Sequence, residues 1–174
     1  MRLLPGHVLH TEGRRRLARS LFVRHIDGGS SNIVESELTA ALGPRYNLTR
    51  YGIRFVSSPS HADVLLLTGP LTRNMLGPLR AAFSVMPEPR AIVTAGDWAW
   101  GSPAEDLGDQ ADRQLERAMA ASYATAELPP EMRRAVLAHI PGDPPEPKEI
   151  IAALVRVARL RARLRRGRRS ANSV

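Results

Sequence analysis

A chain of 174 residues has the length of a single domain, and a hydrophobic content of 43% gives it enough apolar material for a core, which excludes an intrinsically disordered chain. It contains no cysteine, which excludes disulfides, thiolate catalysis and thiolate-bound metal. The net charge of +8 is placed at one end: from Arg156 onward there are eight Arg and no acid, which leaves 17 of the 25 basic residues against 17 acids in the body.

Residues 1–19 read as a polar N-terminal arm holding His7 and His10, with a short basic helix near Arg14. The arm has no continuous apolar stretch, so a secretory signal is not expected, and no run of about 18 apolar residues exists to span a membrane. Residues 20–26 (SLFVRHI) predict a first strand. Residues 27–32 (DGGSSN) are a loop by composition, and residues 33–42 predict a helix capped by Ser31 or Asn32 and stopped by Gly43 and Pro44. Residues 53–56 predict a short second strand. The apolar run DVLLLT (residues 63–68) predicts a third strand, buried on both faces. Residues 71–86 predict a helix interrupted or kinked near Gly77 and Pro78. Residues 91–95 (AIVTA) predict a fourth strand, residues 109–122 a helix, residues 135–140 a last strand, and residues 146–166 a final helix with Pro147 in its first turn.

Strands alternating with helices imply a three-layer α/β fold: a parallel sheet with helices on both faces. Such sheets place their sites at the C-terminal ends of the strands. Three loops qualify, at residues 28–32, 96–103 and 141–145, and all three are expected at one edge.

Those loops and their neighbours carry a family pattern. RYNLTRYGI (residues 45–53) is similar to an RYDxxRFGI segment. SSPSHADVLLLTGPLT (residues 57–72) is similar to SPRHADVLLVTG, MPEPR (residues 86–90) to MPEPK/R, and PGDPP (residues 141–145) to PGCPP. On these motifs, over roughly residues 20–155, the chain resembles the small cluster-bearing subunit of energy-converting membrane-bound [NiFe] hydrogenases and the 20 kDa (B) subunit of respiratory complex I. The resemblance implies a flavodoxin-like domain at residues 20–155, followed by an Arg-rich helix end and tail at residues 156–174. It also implies a hydrogenase- or complex-I-like large subunit as partner, a membrane-associated complex, and a peripheral position on its cytoplasmic face.

The resemblance further implies a [4Fe–4S] cluster on four cysteines. Here the GSCNGCDIE-like loop reads GSSNIVESE (residues 29–37), the GDCA-like segment reads GDWA (residues 96–99), and PGCPP reads PGDPP. The four ligand positions therefore fall on Ser31, Val34, Trp98 and Asp143. A cubane needs a soft thiolate on each iron. Val34 has no donor atom, an indole N–H does not ligate, and two hard oxygen donors do not replace four thiolates. No cofactor is expected, with the Trp98 ring filling the vacated volume.

Other residues invite chemistry less. His7 and His10 lie at i, i+3 but lack further metal ligands. His61 is expected to make local hydrogen bonds or meet a partner. The loop Gly28, Gly29, Ser30, Ser31, Asn32 precedes a helix, as phosphate-binding loops do, but lacks the Lys and hydroxyl residue of a P-loop. Asp97 and Asp143 lack a nucleophile or positioned histidine, and no catalytic residue is expected. Thr72, Arg73 and Asn74, just after the third strand and its Gly-Pro turn, are the expected partner contacts. Arg156, Arg159, Arg163 and Arg166 share one helix face, while Ile150, Leu154, Val157 and Leu164 line another. The cationic face suits anionic lipid or an acidic partner subunit. The expected function is a non-redox structural or assembly subunit. The alternative is a free-standing nucleic-acid-binding module that uses the Arg-rich tail.

Overall fold

A computed structural model describes residues 20–29, 32–96, 126–142 and 144–171, with side chains described as far as Arg161. Five strands, β1 (Leu21–Asp27), β2 (Ile53–Phe55), β3 (Val64–Thr68), β4 (Ile92–Ala95) and β5 (Val136–Ile140), form one sheet in the order β2-β1-β3-β4-β5. All four pairings are parallel. This is the flavodoxin-like order, with its switch point between β1 and β3. The α-helices among the described residues are α1 (Ile33–Leu42), α2 (Arg73–Ser84), α3 (Pro130–Arg134) and α4 (Pro147–Ala171).

The layers follow from the period of two along each strand. Leu21 and Val23 of β1, Val64 and Leu66 of β3 and Val93 of β4 face α1 and α4, which supply Val34, Leu38, Ile150, Leu154 and Val157. Leu65, Leu67 and Ile92 face the other way, against Leu79 and Phe83 of α2 and Met132 of α3. All five residues of β3 are buried, as an apolar run at the centre of a parallel sheet requires. Each such leucine stabilises the fold by about 1.5–3 kcal/mol relative to an exposed one.

The sequence-predicted strands and α1 lie within one residue of these bounds. The final helix, expected to end at residue 166, continues to Ala171, and two further elements differ. The segment predicted over residues 71–86 is one continuous helix, Arg73–Ser84, with Pro78 inside it. Pro78 and Asn74, whose carbonyl loses its helical donor, are both exposed, so water can replace that bond. The second difference is α3, five residues long and too short to show a period, which is held by burial of Met132. The predicted arm at residues 1–19 and helix at residues 109–122 lie outside the described residues.

The helix α4 runs without a break through Arg156. Beyond that position Val157 and Arg161 are both buried. Arg161 donates from Nη1 to the Pro89 carbonyl at 2.6 Å and from Nη2 to Asp63 Oδ1 at 3.3 Å. Asp63 in turn accepts the Phe22 backbone N–H at 3.0 Å. One ion pair thus ties α4 to the start of β3, to β1 and to the MPEPR turn.

Candidate functional site at the C-terminal sheet edge

The loop stems that leave the C-terminal ends of the strands are bonded to one another. Gly28 donates its N–H to the Thr68 carbonyl at 2.9 Å, joining the ends of β1 and β3. Thr72 returns both its N–H and its hydroxyl to the Gly28 carbonyl, each at 2.9 Å. Gly96 donates to the Ile140 carbonyl at 3.0 Å, joining the ends of β4 and β5.

Val34, on the first turn of α1, closes this edge. It is 4% exposed, and its Cγ2 lies 3.1 Å from where a Cβ on Gly96 would stand. Gly96 has φ +92°, a backbone conformation side chains avoid, so both its conformation and its close neighbour call for glycine. The Gly142 carbonyl lies 4.0 Å from the same point. Gly96 and Gly142, at the stems of two of the loops singled out in the sequence, thus lie close together, and Val34, just beyond the third, packs against Gly96. Of the four positions where the resemblance implies cysteines, Val34 is described, whereas Ser31, Trp98 and Asp143 lie outside the described residues. Val34 supplies an apolar surface and no donor, and the chain has no thiolate anywhere, so the residues present do not fit a cubane cluster.

Asn32 takes the N-cap position of α1 with φ 65° and makes no side-chain cap bond, so it caps by position and not by its amide. Arg73 and Asn74 are exposed at the start of α2, on the same edge, while Thr72 is half-buried by its bonds to Gly28. His61 is exposed in a turn that leads into β3, at the opposite edge. Arg159 is exposed and Arg156 half-buried on α4, and the side chains of Arg163 and Arg166 lie outside the described set.

A polar cluster sits beside Val34 that sequence reasoning missed. Thr68, fully buried at the end of β3, donates its hydroxyl to Glu35 Oε1 and lies 2.8 Å from His25 Nε2. His25 and Glu35 are themselves 3.5 Å apart, with side chains 26% and 19% exposed. Burial pushes His25 below the usual histidine value of 6.5, against the raising influence of Glu35 and Asp27. Asp27 Oδ1 accepts the Gly29 N–H at 2.7 Å, which holds the start of the loop. The signal available in the sequence was register: His25 shares its sheet face with Leu21 and Val23, where an apolar residue belongs.

A family model described as NADH ubiquinone oxidoreductase, 20 Kd subunit, matches residues 34–157. The probable membrane-bound hydrogenase subunit mbhJ of Pyrococcus furiosus is 31% identical over 139 residues, which span 80% of this chain and 74% of that protein. Formate hydrogenlyase subunit 7 of Escherichia coli is 39% identical over 82 residues, covering 47% of this chain and 32% of its own length. Among solved structures, a chain of the membrane-bound sulfane sulfur reductase, an archaeal respiratory membrane complex, superposes with a TM-score of 0.53 at 19% identity. That likeness covers 81% of this chain and 71% of the other, and it bears on the fold alone.

Proposed function

We propose, because this chain belongs to the NADH ubiquinone oxidoreductase 20 kDa subunit family, that it is a structural subunit of a membrane-associated complex related to energy-converting hydrogenase and NADH:quinone oxidoreductase, and that it holds no iron–sulfur cluster. The observation that carries the proposal is Val34. A position where the resemblance implies a cysteine is occupied by a buried aliphatic side chain packed against Gly96, in a chain without a single thiol. Electron transfer through this subunit has no carrier, and its retained loops serve contact.

The partner in this reading is a hydrogenase- or complex-I-like large subunit, which covers the C-terminal sheet edge at Thr72, Arg73 and Asn74. Arg is enriched at interface hot spots and pairs bidentately with carboxylates, which singles out the exposed Arg73. No helix among the described residues is long and apolar enough to cross a membrane. Membrane association then comes through other subunits and through the acid-free basic end of α4, whose Arg156, Arg159, Arg163 and Arg166 meet anionic lipid or acidic protein. The position is peripheral, on the cytoplasmic face.

The test is isolation of the native assembly through this chain. A large subunit should co-purify, and Arg73→Glu should weaken that association by about tenfold or more while leaving the domain folded, since the position is exposed. Recovery of the chain alone, with a nucleic-acid affinity that disappears when the tail is removed, would replace this reading with the nucleic-acid-binding alternative.

A further inference from the structure

The three groups beside Val34 form a directional chain. Thr68 spends its single hydroxyl proton on Glu35 Oε1, so at its 2.8 Å contact with His25 it acts as acceptor. His25 must then carry its proton on Nε2, which leaves Nδ1 as the acceptor nitrogen. The direct separation of His25 and Glu35 is 3.5 Å, so the hydroxyl is the bridge between them. The bridge is fully buried, while both ends are partly exposed. Glu35 sits in the first turn of α1. The other charged groups around His25 are Asp27 and Arg24 of its own strand.

We propose that His25, Thr68 and Glu35 form a proton relay at the C-terminal sheet edge. A solvent proton adds to His25 Nδ1 as the Nε2 proton moves to Thr68 Oγ1 and the Thr68 hydroxyl proton moves to the Glu35 carboxylate. One proton enters, one is held on Glu35, and His25 ends as the neutral Nδ1–H tautomer. The same transfers in reverse return the starting state. No electron moves, so the relay operates without a redox centre. Its geometry stands independently of the subunit assignment. That Glu35 delivers its proton toward a large subunit rests on the function proposed above.

The experiment uses the full chain with ¹⁵N-labelled histidine. Two-bond ¹H–¹⁵N correlation should show His25 as the Nε2–H tautomer at neutral pH. Thr68→Val should abolish that preference, and Thr68→Ser should keep it. Exchange of the imidazole proton with water should slow by about a hundredfold in Glu35→Gln, at the modest end of what positioned acid–base groups contribute. A predominantly Nδ1–H His25 in the wild type would overturn the proposal. So would unchanged exchange in Glu35→Gln, a partly exposed change that keeps shape and decides the matter if Thr68→Val does not fold. A chain that fails to bind any large subunit leaves these spectra untouched, so the relay and the subunit reading fail separately.

Discussion

Val34 and His25 sit within one cluster of loop stems and are constrained in opposite ways. Val34 is held by shape: its methyl groups fill the space over Gly96, which has no side chain of its own. Val34→Ala should therefore lower stability by about 2 kcal/mol, from two buried methyl groups and the gap they leave, measured by urea unfolding. His25 is held by hydrogen bonding and pays for burial in its protonation. Its native pKa lies below the usual 6.5, so the native state binds fewer protons than the unfolded chain as pH falls. The stability it supports is complete above pH 6.5 and is lost as pH falls through the lowered native value. Unfolding free energies measured between pH 8 and pH 5 should show this decline, and His25→Gln should flatten it.

At the scale of elements, the Asp63–Arg161 pair matters most, because it anchors α4 to the start of β3 and to the MPEPR turn. Both residues are under 10% exposed, so removal of one takes an ion-pair partner from a buried charge. Arg161→Ala should cost about 3–5 kcal/mol. Truncation after residue 162, which keeps the pair and the buried Val157, should change the unfolding free energy by less than about 1 kcal/mol. Equal losses in the two variants would show that the last turns of α4 carry stability by another route. The pair also marks the limit of what the sequence disclosed. The strands and α1 were legible because apolar runs and turn residues act locally, and β3 announces its burial in five consecutive residues. Arg161 was partly legible: it follows Ile150, Leu154 and Val157 at helical spacing, on the apolar stripe and off the stripe of Arg156 and Arg159. Its partner Asp63 lies 98 residues away, which no periodicity reveals. The His25, Thr68 and Glu35 cluster was hidden for the same reason, since β1, β3 and α1 bring it together only in three dimensions. The common edge of the three loop stems, by contrast, follows from strand alternation alone.

For the whole molecule, the family fold is kept, while the four positions where the family resemblance implies cysteines hold Ser31, Val34, Trp98 and Asp143. Among the described residues, the parallel sheet, its order and the glycines at the loop stems are joined at this edge by Val34 and by backbone bonds. The net charge of +8, gathered beyond a formally neutral body, gives the chain a cationic end. Truncation after residue 162 should accordingly reduce binding to vesicles containing anionic lipid, and the wild-type binding should weaken as salt rises. Undiminished binding by the truncated chain would place the contact on the body. The cluster-free character of the subunit is the central claim, and iron stoichiometry tests it most directly. The full-length chain, reconstituted anaerobically with iron and sulfide and freed of excess reagent, should retain no stoichiometric iron and show no charge-transfer absorption. Stable retention of about four irons per chain, the content of a cubane, would contradict it.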